Sequence, residues 1–181
     1  IRDRLAAMYC IAVEFALVRG KITEEQYGYY IAELLTIPEK VQKILEDKER
    51  LQWFAAKYAN ASDVFFVGRG IDYAVCLEGS LKLKEISYIH AEAYAAGEMK
   101  HGPIALLDEG FPIVAVATQS ATYDKTVSNL EESKSRGAKI IAIATEGDEA
   151  IKKVADHVIY IPKVRDAFMP ITASVPLQLL A

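Results

Sequence analysis

The sequence predicts an α/β fold: a three-layer α/β/α sandwich with a mainly parallel sheet, preceded by a helical segment. Three observations predict it. Short, wholly apolar runs such as 64–67 are typical of parallel strands buried on both faces. Helical stretches separate these runs, as in proteins whose helices cover both faces of a sheet. Hydrophobic residues make up 52% of the 181 residues, which is enough for a full core.

The first 60 residues carry helical signals only. Three helices are predicted there, over about 1–19, 23–35 and 36–58. Gly20 is a C-cap for the first helix. Thr23 and Gln26 form a capping box that opens the second, and a similar pattern at Thr36 predicts that a third helix begins there.

Strands and helices alternate from residue 61 onward. The predicted strands are 64–67, 113–117, 139–144 and 157–161, and the predicted helices are 73–89, 122–136 and 150–154. Gly68 and Gly70 flank the first turn, but Tyr73 stands where a dinucleotide-binding motif needs its third glycine. Dinucleotide binding is therefore not expected, and ligands should bind beyond the carboxyl ends of the strands.

We divide the chain into 1–60, a helical connection from a preceding domain, and 61–181, the α/β domain. The apolar run 176–181 lacks a stop signal, so we expect the chain to be a piece of a longer protein.

Composition and charge exclude several classes of protein. The net charge of −4 argues against a nucleic-acid partner. No apolar run reaches the ~20 residues of a membrane span. Cys10 and Cys76 lie in apolar helical contexts and are predicted to be buried free thiols in a reducing compartment. A cytoplasmic enzyme fits these observations best.

One helix face carries charges in an unusual setting. Glu78, Lys82 and Glu85 fall within about 60° of one another on an ideal helix. The projection surrounds them with apolar residues and places Ser80 and Lys84 on the polar side. Buried charges are costly unless they are paired or functional. Acid–base catalysis and a structural ion pair both remain open readings of this face.

Two other segments are candidates for function. His101 lies near a helix end, where it could be catalytic, structural or simply at the surface, and its spacing from His90 does not suit a metal site. No cofactor is expected. The 118–122 loop follows a strand, so Thr118, Ser120 and Thr122 could hold phosphate or cap the next helix.

The segment from Glu78 to Pro103 resembles the signature of glutamine–fructose-6-phosphate aminotransferases, also called glucosamine-6-phosphate synthases. The resemblance covers nearly the whole chain and points to the second sugar isomerase (SIS) domain. It implies conversion of fructose 6-phosphate and ammonia into glucosamine 6-phosphate, for hexosamine biosynthesis, by a homodimeric enzyme of the cytoplasm.

The resemblance also implies residue roles. Glu85 would be the base that moves a proton between C1 and C2, and Glu78 and Lys82 would line the same site. His101 would assist ring opening across a dimer interface. The glutaminase domain, the first SIS domain with its phosphate cradle and the C-terminal tail with its Schiff-base lysine would lie outside this chain, so we expect the chain to be inactive alone.

Two rival functions remain. A non-catalytic SIS module that senses sugar phosphates would use the 118–122 loop as its phosphate site. A purely structural dimerisation domain would use the charged face as an interface ion-pair network and would bind no ligand.

Overall fold

The structure is a computed structural model of the chain. It describes residues 2–181, with the backbone alone for Arg2, Asp3 and Ser120. Its elements in chain order are α1 (Arg2–Val18), α2 (Glu24–Glu46), α3 (Lys48–Tyr58), β1 (Asp63–Gly68), α4 (Ile71–Ser87), β2 (His90–Ala95), β3 (Pro112–Ala117), α5 (Tyr123–Ser135), β4 (Lys139–Thr145), β5 (His157–Ile161) and α6 (Met169–Leu180). Short 3₁₀ helices span Ala96–His101, Pro103–Leu106, Ser120–Thr122, Ala150–Lys153 and Asp166–Phe168.

The five strands form one sheet in the order β2-β1-β3-β4-β5, and every neighbouring pair is parallel. Side chains alternate along each strand, so Val64 and Phe66 enter one core while Phe65 and Val67 enter the other. Helices α1–α4 and α6 cover the first face, and α5 with three of the 3₁₀ helices covers the second. The predicted three-layer α/β/α fold is confirmed.

The first predicted capping box is confirmed, and the second is wrong. Thr23 accepts a hydrogen bond from the Gln26 N–H, and the Gln26 side chain accepts one from the Thr23 N–H. Thr36, however, lies inside α2, where its hydroxyl donates to the carbonyl of Glu33 at 2.7 Å. The helix continues through Pro38, and the neighbouring Ile37 is buried in the core, where packing can outweigh the low helix propensity of proline.

Two elements were not predicted. β2 is an edge strand that pairs with β1 from Asp63 opposite His90 onward. α6 contains the apolar run 176–181, for which no element was predicted. This run packs within the chain, because α6 lies between α2, α3 and α4, and Leu177 is 2% exposed. The predicted helix 150–154 is a 3₁₀ turn.

The prediction for the cysteines is half right. Cys76 is fully buried in α4, but Cys10 is exposed on α1. α1 carries apolar residues on its outward face as well, including Met8 and Phe15, and helical periodicity alone does not say which apolar side faces the core.

Candidate active site

Two glycines set the position of α4, the helix that carries the predicted acid–base residues. A Cβ atom on Gly68 would lie 2.7 Å from the backbone carbon of Asp72, so the end of β1 needs glycine to meet the first turn of α4. A Cβ atom on Gly79 would lie 2.8 Å from Leu177 and 3.0 Å from Phe66. The helix therefore lies directly against β1 and α6, and its opposite side faces outward.

The structure brings the three predicted charges together on that outward side. The ammonium of Lys82 donates a hydrogen bond to Glu85 Oε2 and lies 3.9 Å from Glu78 Oε1. The side chains of Glu78 and Lys82 are 26% and 22% exposed, whereas that of Glu85 is 50% exposed. One ammonium thus lies between two carboxylates, and the more accessible carboxylate is Glu85.

The electrostatics of this trio leave one acceptor available. The hydrogen bond to Glu85 raises the pKa of the Lys82 ammonium, which keeps it charged. Glu78 Oε1 is buried and accepts no hydrogen bond. A buried acceptor without a donor is costly, so a ligand hydroxyl or amine that reached Glu78 would relieve that cost.

The helical projection was wrong about one neighbour of the charges. Ser80 was placed on the polar side, but it is 3% exposed and donates to the carbonyl of Leu77. The buried side of α4 consists largely of small residues that fit closely against the sheet. Lys84 is exposed, as predicted, and the apolar side chains beside the charges, Leu77 and Leu81, are 48% and 44% exposed.

His101 does not join these charges within the chain. It ends the Ala96–His101 3₁₀ helix, whose Ala96 and Met99 enter the core on the other face of the sheet from α4. His101 itself is exposed. One chain therefore presents Glu85 and His101 on opposite sides of the sheet.

Contacts with α5 hold the 3₁₀ helix in place. Lys100 forms an ion pair with Glu132 at 2.6 Å. Arg69 lies over Gly97, where a Cβ atom would collide with the guanidinium, and it donates a hydrogen bond to Asn129 at 3.4 Å. In sequence, Arg69 is only the residue between Gly68 and Gly70 at a turn, because its partner Asn129 is distant along the chain.

The 118–122 loop is hydrogen-bonded to Asp72, a residue that the sequence patterns did not identify as a candidate. Asp72 accepts hydrogen bonds from the Thr118 hydroxyl at 2.5 Å, the Thr118 N–H at 2.8 Å and the Gln119 N–H at 3.2 Å. The side chain of Ser120 lies outside the described part. Thr122 is the N-cap residue of α5, but its hydroxyl makes no capping bond and has no hydrogen-bond partner.

Other features of the described residues do not suggest a site. A cavity of about 290 Å³ lies between α3, α4 and α6, near Phe54 and Leu83, but no charged residue lines it. No cluster of three metal-ligating side chains occurs among residues 2–181 as described. In the same part of the chain, no helix is long and apolar enough to cross a membrane.

Comparison with known proteins connects this geometry to a family. A family model described as the SIS domain matches residues 57–181. The chain is 51% identical over 178 residues to glutamine–fructose-6-phosphate aminotransferase [isomerizing] of Clostridium acetobutylicum. This match covers 98% of the chain but only 29% of that relative.

Solved structures show the same fold. The C-terminal domain of glucosamine-fructose-6-phosphate aminotransferase from Francisella tularensis superposes with a TM-score of 0.86 and 37% identity, covering 94% of this chain and 48% of that one. The sugar isomerase domain of an RpiR transcription factor from Sphaerobacter thermophilus gives a TM-score of 0.70 at 19% identity, covering 83% and 86%. The second match is evidence for the fold alone.

Proposed function

Because the chain belongs to the SIS domain family and aligns over nearly all its length with glutamine–fructose-6-phosphate aminotransferases, we propose that it is the second SIS domain of such an enzyme. The activity we propose is the ketose-to-aldose step that turns fructose 6-phosphate and ammonia into glucosamine 6-phosphate. The observation that carries the proposal is the trio on α4, in which Lys82 lies between Glu78 and Glu85.

The chemistry requires a group that removes a proton next to a carbonyl or imine and returns it to the neighbouring carbon. A carboxylate within reach of both carbons can perform both steps. Glu85 suits this role because it is the most accessible of the three charges. It would remove the proton from C1 and deliver it to C2, while the positive charge of Lys82 stabilises negative charge that develops on the sugar.

Glu78 would bind rather than react. Its buried Oε1 lacks a hydrogen-bond donor, and a sugar hydroxyl or amine could supply one. Glu78, the second carboxylate near Lys82, would thus position the substrate. This division of roles would account for the presence of two carboxylates beside one ammonium.

Ring opening would use His101 of the partner subunit in a homodimer. The opposite-face placement of α4 and the Ala96–His101 helix supports this, because the two groups do not meet within one chain. The exposed Leu77 and Leu81 beside the charges support contact with other parts of the enzyme, since apolar side chains around a site are commonly covered.

The chain would act in the cytoplasm, with residues 1–60 leading in from a first SIS domain and with a glutaminase domain supplying ammonia. The sensing alternative has less support, because the hydrogen-bond donors of Thr118 that it needs are bonded to Asp72.

The test is Glu85→Gln in the full-length enzyme. We expect formation of glucosamine 6-phosphate to fall by at least ~10²-fold, as is typical for loss of a general base. Glutamine hydrolysis should be unchanged, because it takes place in another domain. Isomerisation that persisted in this variant would show that Glu85 is not the base.

A pair of lysine variants gives a matched control. Lys82→Met should impair isomerisation, whereas Lys84→Met, two residues away and exposed on the same helix, should not. If both variants were equally active, the trio would be a surface ion pair without a catalytic role.

A further inference from the structure

The sheet has a topological switch point between β1 and β3. The chain leaves β1 through α4 toward β2 on one side, while β3 pairs with β1 on the other. In open α/β sheets the crevice at such a point, beyond the carboxyl ends of the strands, is the usual place for ligands. Here it lies between the first turn of α4 and the residues that follow β3.

A carboxylate of the chain itself occupies this crevice. Asp72 is 1% exposed, and its two oxygens accept three hydrogen bonds from Thr118 and Gln119. Oδ2 receives both backbone N–H groups, and Oδ1 receives the Thr118 hydroxyl. Two successive backbone N–H groups and a hydroxyl that converge on one anion are the kind of donor set that holds a phosphate.

The placement of Asp72 is built into the fold. Gly68 allows the first turn of α4 to approach the end of β1 so closely that a Cβ atom would collide with the Asp72 backbone. This approach carries the Asp72 side chain across to β3. The donors of Thr118 and Gln119 are therefore engaged by a group whose position is fixed by backbone packing.

The open part of the crevice is also unsuited to an anion. A cavity of about 540 Å³ extends from Thr118 along the ends of β3, β4 and β5. Its lining includes one lysine, Lys163, and four carboxylates: Asp124, Glu146, Asp148 and Asp166. Glu146 is paired with Lys43 at 2.7 Å, but carboxylates still outnumber cations around the cavity, so a phosphate monoester would meet a net negative surrounding there.

We propose that Asp72 is an internal anion that fills the oxyanion site at the β1/β3 switch point and thereby excludes phosphate monoesters from this domain. Asp72 then determines specificity. Because it fills the crevice, the trio on α4 is the part of this domain that remains to contact the substrate. The assignment does not depend on Glu85 being a base. Removal of the Asp72 carboxylate frees two backbone N–H groups and a hydroxyl that an external phosphate can use.

The experiment is an NMR titration of the 181-residue chain with inorganic phosphate, read at the backbone amides of Thr118 and Gln119. In the wild type, we expect no saturable shift of these two resonances. In Asp72→Ala, both should shift saturably. Asp124→Ala is the matched control, because it removes a negative charge from the same crevice without freeing the donors, and it should behave as the wild type does.

Each outcome decides the question. Saturable shifts at Thr118 and Gln119 in the wild type would overturn the proposal, and this arm needs no variant. Folded Asp72→Ala without such shifts would overturn it as well. Asp72→Ser, which keeps a small polar residue in the first turn of α4, replaces Asp72→Ala if that variant does not fold. None of these readouts involves isomerisation, so failure here is distinct from failure of the Glu85 proposal.

Discussion

Glu85 and His101 are separated by the sheet: Glu85 projects from α4, which packs on one face, and His101 ends a 3₁₀ helix that packs on the other. This separation supports a site that takes the two groups from two chains. In the homodimer that we propose, each of the two sites would combine Glu85 of one subunit with His101 of its partner.

This arrangement predicts complementation between two defective enzymes. Glu85→Gln and His101→Ala homodimers should each be strongly impaired. When the two full-length variants are unfolded and refolded together, mixed dimers should contain one site with both groups intact. Turnover should then recover to roughly a quarter of the wild-type value, given random pairing. Absence of recovery, with mixed dimers shown to form, would place both groups of a site in one chain.

Gly79 predicts a packing defect with a ready control. Gly79→Ala places a Cβ atom 2.8 Å from Leu177 and 3.0 Å from Phe66, and both residues are buried. We expect a loss of about 1–3 kcal/mol in the free energy of unfolding, typical of overpacking. Gly28→Ala, inside α2 with nothing within 4 Å of the new Cβ, should raise stability by up to ~1 kcal/mol. Denaturant titration measures both, and equal effects would contradict the close packing of α4.

Asp72 predicts a specific dependence of stability on pH. Burial raises the pKa of its carboxyl from the ordinary 3.8 to about 6. The folded state therefore binds this proton more tightly than the unfolded state. The resulting contribution to stability is fully present below about pH 4 and is lost as the pH rises through 6.

The comparison of wild type with Asp72→Asn isolates this contribution. On going from pH 7 to pH 4, the wild type should gain about 2 kcal/mol relative to the variant, because the variant cannot titrate at this position. Chemical unfolding at several pH values measures it. A difference that stays constant over this range would contradict the raised pKa. At neutral pH, the Asp72 charge costs stability, which agrees with a role in occupying the crevice.

The two cysteines predict a large difference in reactivity. Burial raises the pKa of the Cys76 thiol far above its ordinary value, whereas Cys10 is exposed on α1. The thiolate is the reactive form, so an alkylating reagent should modify Cys10 rapidly and Cys76 only as the protein unfolds. Mass spectrometry of peptides after timed labelling distinguishes the two. Equal labelling rates in native buffer would contradict the burial of α4.

Sequence patterns were sufficient for most of the fold, for identifiable reasons. Strands β1, β3 and β4 are apolar runs because both of their faces are covered, and the half-buried edge strand β5 still carries apolar residues at Val158, Ile159 and Ile161. β2 lies at the edge and alternates polar residues with alanine, from His90 to Ala95, so it lacks such a run. α6 is apolar on nearly all sides and contains Pro176 in its interior, so it shows no helical stripe.

The residues of the candidate site also fall into those that could be identified from the sequence and those that could not. Glu78, Lys82 and Glu85 could be grouped from their spacing, because one helix brings them together. Asp72 could not, because an acidic residue in the first turn of a helix is ordinary in sequence. Its significance depends on the pairing of β1 with β3, which brings Thr118 to it from a distant part of the chain. The partners of Arg69 were missed for the same reason.

The order of elements along the chain also governs how the protein folds during its synthesis. All strand pairs are parallel, so none forms as a simple hairpin, and β1 must wait for the whole of α4 and β2 before β3 can join it. α6 follows every strand, yet it fills the middle of the helical layer on the first face. During synthesis on the ribosome, that face of the sheet stays partly uncovered until α6 emerges. A nascent chain that stalls after β5 would therefore expose an apolar surface that chaperones could bind or that could lead to aggregation.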